Sequence, residues 1–277
     1  MSEAVKAVTF LNIVFILLLA ISGTLGGILG ECLYYLAFFV PIAIGFYYSK
    51  GLKYKREEVK GVAEPPERLL SIGRTALIKL LPLVFPVVVL VMMTSAITSL
   101  LMSIVGISSA PVEQTDIFTM LVVHALVPAV LEELLFRYVP MKLLLPYSAR
   151  MCVIYSAVCF ALIHCSFVQM PYALVAGAVF MVVDVALGSV WPSVILHLVN
   201  NATSVILMKY CSEATVALAF VAVLLLIALI SLIFIIRRRD EYARDLRCAL
   251  ARGESFKLGY APVMLTLICC YLAWSSI

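Results

Sequence analysis

The chain has 277 residues and a formal net charge of +4, and 64% of its residues are hydrophobic whereas only 13% are charged. A water-soluble domain is about 45 to 50% apolar and about 25% charged, so this composition is typical of a membrane protein. It excludes nucleic-acid binders, disordered chains and secreted disulfide scaffolds.

Apolar stretches of membrane-spanning length recur along the chain. A spanning helix needs about 20 mostly apolar residues, because the hydrocarbon layer is about 30 Å thick and a helix rises about 1.5 Å per residue. This criterion predicts nine spans, approximately at residues 8–29, 31–49, 80–106, 117–137, 151–167, 168–187, 191–211, 215–236 and 260–277. We therefore predict an all-α, polytopic membrane helix bundle of about eight or nine transmembrane helices, with residues 1–277 forming a single integral membrane domain.

The basic residues predict the orientation of the bundle. Lys and Arg concentrate in the cytoplasmic loops of membrane proteins. If the N-terminus is cytoplasmic, every basic residue of the chain except Lys209 falls on the cytoplasmic side, mostly in the segments 50–79, 137–150 and 237–257. We therefore predict a cytoplasmic N-terminus.

Several polar side chains fall inside the predicted spans, where lipid is expected. An acid such as Asp at the centre of a spanning helix costs about 2.5 to 3.5 kcal/mol on insertion scales, so such residues face a protein interior or a wet cavity and usually have a function there. The intramembrane set consists of Glu132, Glu133, Asp184, His124, His164, His197, Asn200 and Asn201. These side chains are the candidates for a functional site.

The first motif is Glu-Glu-x-x-x-Arg at residues 132–137. Glu133 and Arg137 are four residues apart, so one helical turn brings the carboxylate beside the guanidinium. Glu132 points about 100° away from Glu133, because the helical period is 3.6 residues. We therefore predict a structural ion pair between Glu133 and Arg137 that leaves Glu132 free to react.

Two further motifs place a histidine on each of two later spans. Phe160 and His164 are predicted to share a helical face, and so are His197 and Asn201, because each pair is four residues apart. The imidazole and the carboxamide of the last pair can both donate hydrogen bonds. Together the three motifs supply a base for water, a partner that holds the water, and donors for a developing oxyanion.

These three motifs, in this order and at membrane depth, resemble a known family. They are similar to the CPBP family of intramembrane endopeptidases, which contains the CAAX prenyl proteases of the Rce1 type and the bacterial Abi proteins. The resemblance covers about residues 117–205, the catalytic core that we predict within the domain. It implies peptide-bond hydrolysis at a site that opens to the cytosol. The residues that lead into the third motif, 188–197, are similar to those of the family's bacterial members. This similarity implies that the protein resides in the bacterial plasma membrane.

The resemblance also implies a role for each motif residue. Glu132 is expected to be the general base that activates water, and His164 is expected to help hold and polarise that water. His197 and Asn201 are expected to form the oxyanion hole. The remaining motif residues are expected to support the site, and they are Glu133, Arg137 and Phe160.

The sequence leaves two mechanisms open for the activation of water. Glu132, His164 and His197 could ligate a zinc ion and leave one position open. The chain has no His-Glu-x-x-His motif, which would have indicated zinc directly. We expect no cofactor and favour the glutamate mechanism without metal, with zinc as the alternative.

Two classes of function are compatible with the polar cluster. The expected partners of a protease are a membrane-associated protein or peptide substrate and the lipid bilayer, with no nucleic acid. The alternative is a non-catalytic membrane protein, such as a transporter or a bacteriocin-immunity factor, in which Glu132, His164 and His197 form a proton or cation path. A transporter is expected to have two halves with matching broken helices, and the sequence shows no such halves.

Overall fold

Helices make up almost all of the described chain. The computed structural model describes residues 2–25, 27–57, 69–107, 115–164, 166–211 and 213–251. Within these ranges there is no β-strand, and the helices are α1 (Ser2–Leu25), α2 (Gly27–Glu57), α3 (Arg74–Ile104), α4 (Ile117–Leu143), α5 (Ala149–Leu162), α6 (Met170–Leu187), α7 (Trp191–Tyr210), α8 (Ala214–Arg237) and α9 (Arg239–Leu250). The predicted all-α bundle is confirmed.

Seven of the described helices are long and apolar enough to cross a membrane, namely α1, α2, α3, α4, α6, α7 and α8. They correspond to seven of the predicted spans, although α3 begins at Arg74 rather than near residue 80. Helix α9 lies in the basic segment that was predicted to be a cytoplasmic loop. The ninth predicted span, residues 260–277, and residues 58–68 of the predicted loop 50–79 lie outside the described residues.

Helix α5 is shorter than the span predicted for residues 151–167. It has 14 residues and ends at Leu162. At about 1.5 Å per residue it is about 21 Å long, which is less than the hydrocarbon layer of about 30 Å. His164 therefore lies in the turn after α5, but its ring still contacts that of Phe160, as their predicted shared face requires. Non-helical backbone at membrane depth is tolerated where protein surrounds it, and His164 is partly buried.

Two prolines interrupt the backbone hydrogen bonds of α4. Pro128 and Pro140 have no N–H, so the carbonyl four residues before each proline has no helical donor. The helix has a π-helical turn just before each of them, at Val122–Leu126 and Leu134–Tyr138. Such π-helical turns occur frequently at functional sites.

Side chains of other helices take the place of the missing donors. Asn201 of α7 donates from Nδ2 to the carbonyl oxygen of His124 at 3.2 Å. Ser156 of α5 donates from its hydroxyl to the carbonyl oxygen of Phe136. Each proline of α4 thus creates an attachment point for a neighbouring helix.

Close packing joins α5 to α6. A Cβ atom at Gly177 of α6 would lie only 2.9 Å from the Cα atom of Ala157 of α5. A larger residue at Gly177 therefore requires the two helices to move apart. This contact fixes the position of α5, which carries Phe160, relative to α6.

The turn from α6 to α7 is held by Asp184, which is fully buried. Gly188 ends α6 with a φ of +68°, a conformation that favours glycine. The Asp184 Oδ1 atom then accepts a hydrogen bond of 2.8 Å from the backbone N–H of Ser193, in the first turn of α7. One carboxylate therefore binds an otherwise unpaired N–H at the start of the helix that carries His197.

Aromatic side chains connect the first two helices to the centre of the bundle. The ring of Phe15 in α1 lies 4.9 Å from that of Phe38 in α2 and 5.6 Å from that of Phe136 in α4. Phe136 in turn lies 5.9 Å from Phe160 in α5. On the other side of the bundle α3 packs against α6 and α7, and α8 packs mainly against α3. The candidate residues lie between these two groups of helices.

Candidate active site

Glu133 connects two helices through its two carboxylate oxygens. Its Oε2 lies 3.0 Å from Nε of Arg137, within α4. Its Oε1 lies 2.7 Å from Nδ1 of His197, in α7. A carboxylate oxygen accepts, so the imidazole donates from Nδ1 and its Nε2 atom points away from Glu133. The side chains of Glu133 and Arg137 are both completely buried.

Arg137 is held by aromatic and hydroxyl groups as well as by Glu133. Its guanidinium carbon lies 4.4 Å from the centre of the Phe160 ring, which is the geometry of a cation–π contact. Its Nη1 donates to the Ser156 hydroxyl oxygen at 3.1 Å. Arg137 therefore ties α5 to α4 in the same way that Glu133 ties α7 to α4.

Glu132 has a different environment from its neighbour. Its side chain is 14% exposed, whereas that of Glu133 is completely buried. The Oε2 atom of Glu132 lies 4.0 Å from Nε2 of His197. This distance is too long for a direct hydrogen bond and short enough for one water molecule to contact both atoms. The two adjacent carboxylates therefore have separate surroundings.

His164 is oriented by the helix that precedes it. Its Nδ1 lies 2.9 Å from the carbonyl oxygen of Phe160, so Nδ1 is the donor and Nε2 carries the lone pair. The Phe160 ring lies 5.1 Å from the His164 ring and 5.8 Å from the His197 ring. Phe160 therefore packs against both histidines.

Asn201, one helical turn after His197 in α7, takes part in a chain of polar contacts. Its Nδ2 donates to the His124 carbonyl at 3.2 Å, and its Oδ1 accepts from Asn200 Nδ2 at 3.2 Å. A carboxamide carries two N–H groups, so one N–H of Asn201 remains after the bond to His124. The structure therefore fixes the plane of this amide.

A cavity of about 640 Å³ adjoins this chain of amides. Most of its wall is apolar and comes from α3, α7 and α8. Its polar wall includes His124, Tyr172, Asn200 and Asn201. The Tyr172 ring also lies 6.4 Å from the His164 ring, so Tyr172 connects the cavity to the histidine.

Sequence reasoning missed the contribution of Ser156 and left Asp184 without a partner. Ser156 is completely buried and bonds both Arg137 and the Phe136 carbonyl. Pro140 could have predicted the contact with the Phe136 carbonyl, because a proline inside a helix leaves the carbonyl four residues earlier without a helical donor. No comparable signal pointed to the bond between Asp184 and Ser193.

The proposed zinc ligands do not fit a shared metal ion. In the part of the chain that the structure describes, no three His, Cys, Asp or Glu side chains are arranged to hold one. Two ligand atoms on a tetrahedral zinc lie about 3.3 Å apart, given bonds of about 2.0 Å. The Oε2 atom of Glu132 and the Nε2 atom of His197 are 4.0 Å apart.

Comparison with known proteins identifies a family segment that contains all three motifs. Residues 114–203, about a third of the chain, match the family described as Rce1-like, type II CAAX prenyl endopeptidase. The matched residues comprise α4, α5, α6 and much of α7. No curated protein and no solved structure matches the chain. The match confirms the family resemblance and supports protease activity at the level of the family.

Proposed function

From the Rce1-like segment and the geometry of its side chains, we propose that this integral membrane protein is an endopeptidase in which Glu132 activates water. The observation that carries the proposal is the position of Glu132. Its partly accessible carboxylate faces Nε2 of His197, while the fully buried Glu133 holds both His197 and Arg137. A base that removes a proton from water must be free of strong ion pairs and accessible to that water.

The reaction begins with a water molecule held by the Glu132 carboxylate and by Nε2 of His164. As the water oxygen adds to the carbonyl carbon of the substrate, its proton passes to Glu132. The carbonyl oxygen becomes an oxyanion, which hydrogen-bond donors stabilise. Glu132 then returns the proton to the amide nitrogen, and the carbon–nitrogen bond breaks to give a carboxylic acid and an amine.

His197 and Asn201 are the proposed oxyanion donors. The amide of Asn201 retains one N–H after its bond to His124. His197 already donates from Nδ1 to Glu133, so it donates from Nε2 only when the ring carries both protons. Glu133, Arg137 and Phe160 position these groups without touching the substrate.

The proposed substrates are membrane-associated proteins or peptides. The cavity beside Asn201 and Tyr172 is mainly apolar, which suits the side chains of a segment that resides in lipid. Of its polar lining, Tyr172 packs against His164, with the two ring centres 6.4 Å apart.

Profiling of new protein N-termini tests the proposed function. Cells that express the wild-type chain are expected to contain N-termini of membrane proteins that are absent from cells expressing Glu132→Ala. Glu213→Ala removes an exposed acid at the start of α8 and is the matched control. If the Glu132→Ala and wild-type profiles agree while both proteins accumulate equally, the non-catalytic alternative is correct.

Metal removal distinguishes the two ways of activating water. We expect the purified protein to keep its turnover after prolonged chelation, because Glu132 rather than a metal accepts the proton. Elemental analysis of the same preparation is expected to find much less than one zinc per chain. Loss of turnover on chelation and its recovery on addition of zinc would contradict the glutamate mechanism.

A further inference from the structure

Helix α9 is fixed to the rest of the protein through its acidic side chains. Lys79 of α3 lies 3.1 Å from Glu241 and 2.6 Å from Asp245. The Tyr242 hydroxyl donates to the Lys79 carbonyl oxygen at 2.9 Å. Two of the three acids of α9 therefore face α3, where Lys79 neutralises part of their charge.

The arginines of this region are exposed. Arg244 and Arg247 are three residues apart on α9 and exposed, and no acidic side chain in the described residues lies within ion-pair distance of either. Three more exposed arginines occupy the junction of α8 and α9. We call the whole set the arginine surface; it consists of Arg237, Arg238, Arg239, Arg244 and Arg247.

Two of the junction arginines have weak local partners. Arg238 lies 3.5 Å from Glu241, and Arg239 lies 3.8 Å from Asp240. Exposed pairs at such distances contribute little free energy and leave the guanidinium able to bind elsewhere. Since Glu241 also contacts Lys79, the arginine surface keeps a positive excess.

The membrane begins next to this surface. Helix α8 is the most apolar of the candidate spans, and it ends at Arg237. Its last turns expose Ile233, Phe234 and Ile236, which are suited to lipid chains. On α9, Leu246 is also exposed beside Arg247. A helix with basic and apolar side chains next to each other is typical of the interface between water and lipid.

We propose that the arginine surface binds the phosphate groups of anionic phospholipids. A guanidinium can donate two parallel hydrogen bonds to a phosphate, and a negative headgroup complements the positive excess. The apolar side chains of α8 and α9 place this surface at the depth of headgroups, which favours lipid over an acidic protein or a nucleic acid. This proposal does not depend on the protease assignment.

Lipid titration of the purified full-length chain in neutral detergent tests the proposal. Short-chain phosphatidylglycerol is expected to bind more tightly than short-chain phosphatidylcholine. The double variant Arg244→Gln/Arg247→Gln is expected to bind phosphatidylglycerol about 25-fold more weakly, because each basic side chain near an anionic surface contributes about fivefold. The control is Arg74→Gln/Arg150→Gln, which removes two other exposed arginines and equal charge; it is expected to bind like the wild type.

Three results would overturn the proposal. The first is equal affinity of the wild type for the two lipids. The second is an equal loss of affinity in the test and control variants, which would indicate a general effect of net charge. The third is tighter binding of a polyglutamate peptide than of phosphatidylglycerol, lost in the test variant, which would identify an acidic protein segment as the partner. Thermal unfolding in phosphatidylcholine micelles checks that both variants fold.

Discussion

Replacing Glu132 by glutamine is expected to lower the turnover number by about 10² to 10⁴-fold, the usual contribution of general-base catalysis. Glutamine is close to glutamate in volume and shape and can still form hydrogen bonds, but it cannot accept a proton at neutral pH. Because Glu132 lies 4.0 Å from His197 and has no ion pair with Arg137 in the described structure, its removal is expected to leave the buried pair intact. Substrate affinity is therefore expected to change little.

The measurement is the rate of cleavage of one identified substrate by purified protein in lipid vesicles. Glu213→Gln, at an exposed position, serves as the control for a change of charge. The unfolding temperature of each variant shows whether a lost rate reflects chemistry or folding. Full activity of a correctly folded Glu132→Gln protein would disprove the enzymatic assignment.

Replacing Arg137 by methionine is expected to destabilise the protein by about 3 to 5 kcal/mol. The change leaves Glu133 as a buried carboxylate without its cationic partner, and breaking a buried pair on one side has this cost. It also removes the donor to Ser156 and the cation above Phe160. Denaturant unfolding in micelles, followed by the exposure of buried cysteines such as Cys152, measures the loss.

A double variant separates the charge effect from the loss of packing. Glu133→Gln/Arg137→Met removes both charges, so it is expected to be more stable than Arg137→Met alone. The control Arg150→Met removes an exposed arginine and is expected to change the unfolding free energy by about 0.5 kcal/mol or less. Strictly additive effects of Glu133→Gln and Arg137→Met would contradict the buried ion pair.

The sequence was sufficient to predict the helix bundle, because a long apolar run has few alternatives in a membrane. It also predicted which polar side chains at membrane depth are candidates for a functional site, since a polar residue there is costly. The contact between Glu133 and Arg137 was also predictable, because residues four apart in one helix lie next to each other. The structure pairs them at 3.0 Å.

Two features of the site were not predicted correctly or at all from the sequence. The assumption of a continuous helix through His164 was wrong because α5 ends at Leu162, and no residue at that point of the sequence is a strong helix breaker. The hydrogen bond from His197 to Glu133 could not be derived from spacing, because it depends on how α7 packs on α4. The geometry of a single helix predicts which residues share a face. It does not predict which neighbouring helix packs against that face.

The two prolines of α4 have a consequence for protein engineering. A ranking of substitutions by helix propensity would select Pro128→Ala and Pro140→Ala first, since proline is about 3 kcal/mol less favourable than alanine inside a helix. Each alanine would supply the missing N–H, which then competes with the Asn201 amide and the Ser156 hydroxyl for their carbonyl acceptors. The changes that most improve α4 as an isolated helix are therefore those that weaken its attachment to its neighbours, and a selection by helix propensity alone would favour proteins with a misaligned site.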